Sequence, residues 1–175
     1  MPTELPTDEL LPDIIDTRMN LLFVSPAPLR SWVESGHYHD GDGDRFYRLL
    51  YEVGLTTEEN APSADTTLLN HGIGLTTLSK TKPVNDLEEL EPVDFSIGRL
   101  IRIAFEFRPQ IICCEGKQVF QDFFDRHGDF GFQKELIADA RVFIAPASTD
   151  EQVAYENLLA YYRQLKKGLS QPQED

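Results

Sequence analysis

Residues 95–125 read FSIGRLIRIAFEFRPQIICCEGKQVFQDFFD, and the order of patterns in this stretch decides the fold class. Phe95 to Phe107 is apolar at helical spacing and stops just before Arg108-Pro109, where proline disfavours a continued helix. Gln110 to Cys114 is a short run, apolar on both faces, that reads as a buried strand. Gly116-Lys117 then opens a second helix, Gln118 to Asp125. Helix, buried strand and helix in succession are the pattern of a parallel sheet covered on both sides.

The same reading extends outward. Leu21-Leu22-Phe23-Val24 is another apolar run, closed by Ser25-Pro26-Ala27-Pro28, whose two prolines bar a helix or a central strand. Asp44 to Val53 (DRFYRLLYEV) sets Phe46, Leu49, Leu50 and Val53 at helical spacing, with Gly54 as a stop signal. Ile73 to Leu78 is a third strand candidate and Val142 to Pro146 a fourth, followed by a Ser/Thr turn and a helix from Asp150 to Lys167. These elements predict an α/β chain, a three-layer α/β/α sandwich with a central, mostly parallel four-stranded sheet. The expected division is an acidic arm over 1–18, one domain over 19–168 and a polar tail over 169–175.

Composition agrees with one soluble globular unit: 175 residues, 41% hydrophobic and 26% charged. The net charge of −14 is unevenly placed. Residues 1–17, 52–65 and 86–94 carry fourteen acids and no Lys or Arg, so the remaining sixteen acids match the sixteen bases. No apolar run reaches the ~18 residues of a spanning helix, which argues against a membrane partner. The acidic amino terminus is the opposite of a secretory leader, and a cytoplasmic location follows as an expectation. Cys113 and Cys114 are adjacent and alone, which excludes a disulfide framework and a thiolate metal cluster.

In open parallel sheets ligands sit outside the carboxyl ends of the strands, here the loops after Val24, Leu78, Cys114 and Ile144. Beside them, His37 to Asp44 (HYHDGDGD) gathers two His and three Asp. It lacks the terminal bidentate Glu of a calcium loop, so no metal is assigned, and it stands as a polar lid or a solvated loop. Gly116-Lys117 at a strand-to-helix turn could hold an anion.

Taken in order, LLFVSPAP, DRFYRLLYEVGLT, GIGLTTLSKTKPVNDL, RPQIICCEGKQVF and FIAPAST resemble the blocks of the thymine-DNA glycosylase and mismatch-specific uracil-DNA glycosylase branch of the uracil-DNA glycosylase superfamily. The resemblance covers residues 19–168. It implies a monofunctional base-excision enzyme, without metal or cofactor, that flips a uracil or mismatched thymine out of double-stranded DNA and hydrolyses its N-glycosidic bond as a monomer. If it binds DNA, it is nucleoid-associated.

Residue by residue, the family's water-positioning Asn falls on Ala27, which leaves Asp42 or Asp40 to act on the water. Pro26, Tyr38 and His39 fall at base-binding positions. Arg30, Lys80, Lys82, Lys117, Ser148 and Thr149 make up the expected DNA face. The wedge positions hold Asp150 and Glu151, acids that suit a helix cap better than insertion into a duplex. A catalytically inactive protein of the same fold, serving as a binding or interaction module, remains the alternative.

Overall fold

A computed structural model of the chain describes residues 10–80 and 96–169. Its centre is a five-stranded sheet: β1 (Leu21–Ser25), β2 (Ile73–Thr77), β3 (Ile111–Glu115), β4 (Gly131–Ile137) and β5 (Ala140–Ala145), in the order β2-β1-β3-β5-β4. β1, β2, β3 and β5 are parallel, and β4 pairs antiparallel with β5 at the edge. The helices are α1 (Arg30–Ser35), α2 (Phe46–Glu52), α3 (Ile97–Phe107), α4 (Lys117–Phe124) and α5 (Tyr155–Leu169), with a 3-10 segment at Pro62–His71.

β1, β2 and β3 are buried along their whole length, and β5 is buried at every residue but Arg141. Their side chains alternate between two cores. Leu21, Phe23, Cys113 and Phe143 pack with Phe46, Leu49, Leu50, Leu158, Tyr162 and Leu165 on one face. Leu22, Val24, Ile112, Cys114, Val142 and Ile144 pack with Leu100, Ile103, Val119 and Phe120 on the other. This is the three-layer sandwich, with one strand more than expected. β4 was not legible because GFQKELI sets Lys134 and Glu135 among its apolar residues and leaves Phe132 and Leu136 exposed on an edge.

Residues 10–18 are not a detached arm. Leu11 and Ile14 are buried, Ile14 bridges Leu75 in antiparallel register, and Asp13 binds Lys80 and Arg99 at 2.8 and 2.7 Å. Apolar residues spaced three apart among the acids tie this segment to the edge of β2. Gly74 makes the fit possible, since a Cβ there would lie 2.6 Å from Met19 Sδ and 3.0 Å from the Ile14 carbonyl.

The chain runs from β1 outward to β2 and then crosses back to β3, so the strand order reverses between β1 and β3. In such sheets the crevice beyond the carboxyl ends at this switch point is the ligand site. Ser25 and Glu115 close those two strands.

Candidate active site

A cleft of about 530 Å³ opens at that switch point. Pro26, Ala27, Leu29 and Trp32 form one wall, Gly116, Lys117, Gln118 and Phe130 another, and Pro146 to Asp150 the rim, with Ser25, His39 and Glu115 beneath. The period of two along β1 and β3 turns Ser25 and Glu115 to the same face as Phe23 and Cys113, beside one another. The Ser25 hydroxyl donates to Glu115 Oε2.

The loop before α2 delivers the next group. Asp65 accepts the Tyr38 N–H at 3.0 Å and the Tyr47 hydroxyl donates to the Tyr38 carbonyl at 2.6 Å, which pins the chain on both sides of that peptide. His39 then takes a left-handed conformation, φ +59°, that points its ring inward. The ring stacks on Phe46 at 3.9 Å and leans on Trp32 at 4.4 Å. Its Nδ1 lies 2.7 Å from Asp44 Oδ2, and its Nε2 lies 3.2 Å from both oxygens of Glu115. The Ser148 hydroxyl donates to Asp44 Oδ1 at 2.8 Å, and the Phe46 N–H donates to the same oxygen at 3.0 Å.

The result is a buried ion network, Asp44–His39–Glu115, hydrogen-bonded by a serine at each end. Burial opposes a charge on His39, but the carboxylates of Asp44 and Glu115 outweigh it and raise its pKa to about 10. Burial likewise opposes the charge on Asp44, and the imidazolium of His39 overrides it, holding the carboxyl below its ordinary value. The formal charges of the network, two carboxylates and one imidazolium, sum to about −1 beneath the cleft. The two cysteines take no part: both are buried and free, and burial pushes the Cys114 thiol up to about 12 and Cys113 well up. Among the described residues no group of three or more His, Cys, Asp and Glu side chains gathers as a metal site would require.

The structure sorts the expected site residues. Pro26 and Ala27 line the cleft, as do His39, Lys117, Ser148 and Thr149. Arg30 is exposed at the start of α1, next to the cleft residue Leu29. Asp42 and Asp40 do not line the cleft; Asp42 is exposed, and the nearby carboxylates that the fold turns inward are Asp44 and Glu115. Tyr38 is a core residue whose hydroxyl donates to the Pro12 carbonyl at 3.0 Å, so its ring has no face for a base.

Lys80 is withdrawn from any DNA face, being buried and held by Asp13 and the Leu11 carbonyl. Ser148 is buried and spends its hydroxyl on Asp44 rather than on a phosphate. Asp150 is on the rim and accepts the Gln152 N–H at 2.9 Å, but it caps a turn, since α5 begins at Tyr155. Lys82 lies outside the described residues.

Sequence reasoning missed Glu115, Trp32, Phe130 and Arg45. Arg45 donates to the carbonyls of Ser148, Asp150 and Val153 and so clamps the rim loop. Only Glu115 carried a signal, an ionisable residue closing an otherwise apolar buried strand.

The chain has counterparts among known proteins. Residues 12–163 match the family model described as the uracil DNA glycosylase superfamily. A solution NMR structure from Methanosarcina acetivorans, described as a candidate uracil DNA glycosylase, superposes with a TM-score of 0.57 at 15% identity, over 89% of this chain and 96% of that one. The structural likeness speaks for the fold, and the family match spans nearly the whole domain, switch-point cleft included. On that match, the chain belongs to the uracil DNA glycosylase superfamily.

Proposed function

We propose that this chain is a monofunctional DNA glycosylase, of the thymine- and mismatch-specific branch, that hydrolyses the N-glycosidic bond of a uracil or mismatched thymine flipped into the cleft. The observation that carries the proposal is the charged floor of a base-sized cleft at the sheet's switch point, in a chain of this superfamily. In the reaction the C1′–N bond breaks, its electron pair leaves with the base, and a water oxygen adds to C1′ while its proton departs.

Glu115 replaces Asp42 and Asp40 as the carboxylate that orients and deprotonates that water. Its Oε2 is engaged by Ser25 and His39, while Oε1, also 3.2 Å from His39 Nε2, accepts no hydrogen bond from the described residues. The net negative charge of the network stabilises the positive sugar that forms as the base departs. Phe130, backed by Tyr161 at 5.3 Å, supplies a ring against the base.

A second reading, a base-binding module without catalysis, is favoured by Ala27, which offers no side-chain polar atom where the resemblance places a water-positioning amide. Duplexes carrying uracil or thymine opposite guanine separate the two. Alkali-dependent strand breaks at the modified position are expected, and their absence with stoichiometric protein would leave only the binding module.

A further inference from the structure

The indole of Trp32 is 2% exposed, and its Nε1–H meets no acceptor among the described residues. A buried indole N–H ordinarily finds a partner, because removing it from water without one costs as much as a lost hydrogen bond. The ring it leans on supplies none. His39, its ring centroid 4.4 Å away, turns Nδ1 to Asp44 and Nε2 to Glu115, so neither nitrogen is free to accept.

The complementary group lies against the same imidazole. Glu115 Oε1, 3.2 Å from His39 Nε2, is buried and accepts no hydrogen bond from the described residues, whereas Oε2 takes the Ser25 hydroxyl. Trp32 and Glu115 both line the cleft. The other buried donors left without a partner among the described residues, on Ser79, Arg99, Tyr155 and Tyr162, belong to residues that do not line it.

We propose that one water sits between Trp32 and Glu115, accepting from Nε1–H and donating to Oε1, and that this water is the one that attacks C1′. The second half rests on the glycosylase reading; the first does not. A water held this way satisfies both orphaned groups at once and keeps one lone pair for the cleft. In the reaction that lone pair forms the O–C1′ bond, the C1′–N bond gives its electron pair to the base, and the proton passes to Glu115 Oε1. The indole is a donor only and cannot compete for that proton, so it fixes the oxygen while Glu115 acts as base. It supplies the polar contact that the side chain of Ala27 lacks.

Trp32 is the one tryptophan of the chain, so it gives a single indole ¹H–¹⁵N signal and can be replaced alone by its benzothiophene isostere, which keeps the shape and lacks the N–H. The unaltered chain, without DNA, is expected to show a rotating-frame cross-peak from the indole proton to water, with the sign of close approach rather than of proton exchange. In the isostere the single-turnover rate of uracil release from a duplex should fall by about 10–100-fold. Affinity for that duplex should stay within about threefold, since the N–H touches the water and not the DNA.

An indole proton with no water contact would overturn the proposal. So would a rate that falls by less than about fivefold, or an affinity that falls as far as the rate. The two readings fail separately. No base release by the unaltered chain would remove the glycosylase and the attack with it, while the indole–water contact, read without DNA, would still decide the water site.

Discussion

Replacing His39 with asparagine is expected to destabilise the fold by about 3–5 kcal/mol, because it leaves the buried carboxylates of Asp44 and Glu115 facing each other with no cation between them. Asparagine accepts the left-handed backbone at this position, so the loss reads the charge rather than strain. For a chain of this length the change corresponds to a melting temperature lower by about 6–20 °C in thermal unfolding. Adding Asp44→Asn to the same variant removes one of the stranded charges and should recover part of the loss; a double variant no more stable than the single one would argue against an uncompensated charge.

The same network gives stability a pH dependence with a definite sign. His39 moves from an ordinary 6.5 to about 10 on folding, so its contribution is complete below pH 6.5 and is lost as pH rises through 10. At about 1.4 kcal/mol per pH unit, that displacement is worth about 5 kcal/mol, in line with the cost of deleting the cation. Asp44, held below its ordinary value, acts in the opposite direction: its contribution is present above its unfolded value of 3.8 and is lost on acidification.

Glu115→Gln carries the largest expected effect on activity. Glutamine keeps the shape and an acceptor oxygen for Ser25, and the remaining Asp44–His39 pair is balanced, so the fold should survive. What disappears is the carboxylate proposed to take the proton from water, and the single-turnover rate of base release should fall by about 10²–10⁴-fold. Asp42→Asn and Asp40→Asn, outside the cleft, should each leave the rate within about threefold of the unaltered chain. An active Glu115→Gln variant, or a dead Asp42→Asn, would move the catalytic carboxylate elsewhere.

Much of the architecture was legible because it rests on apolar periodicity. The strand over 110–114 appears as β3, and the helix read from DRFYRLLYEV appears as α2 within it. Short or mixed elements were not legible. α1 is six residues long, the Pro62–His71 segment is 3-10 with little amphipathic pattern, and β4 mixes polar and apolar residues on an edge.

The site was harder to read for a physical reason. Asp40, Asp42 and Asp44 are equivalent in composition, and only the left-handed turn at His39 and the start of α2 decide which carboxylate turns inward. Glu115 is joined to His39 across 76 positions by the β1–β3 crossing, a relation with no local signature. The positive charges told a similar story. Lys80 looked available beside a functional loop, yet Asp13, itself counted among the acids of the amino-terminal stretch, binds it in the interior.

The central claim is that the cleft stands on an imidazolium held between two carboxylates, and histidine ring ¹⁵N NMR across pH reads this directly. The chain has four histidines. His39, identified by its disappearance in His39→Asn, is expected to keep the shifts of a doubly protonated ring until the pH approaches 10. A His39 resonance that titrates near 6.5, or that shows a neutral tautomer at pH 7, would contradict the account.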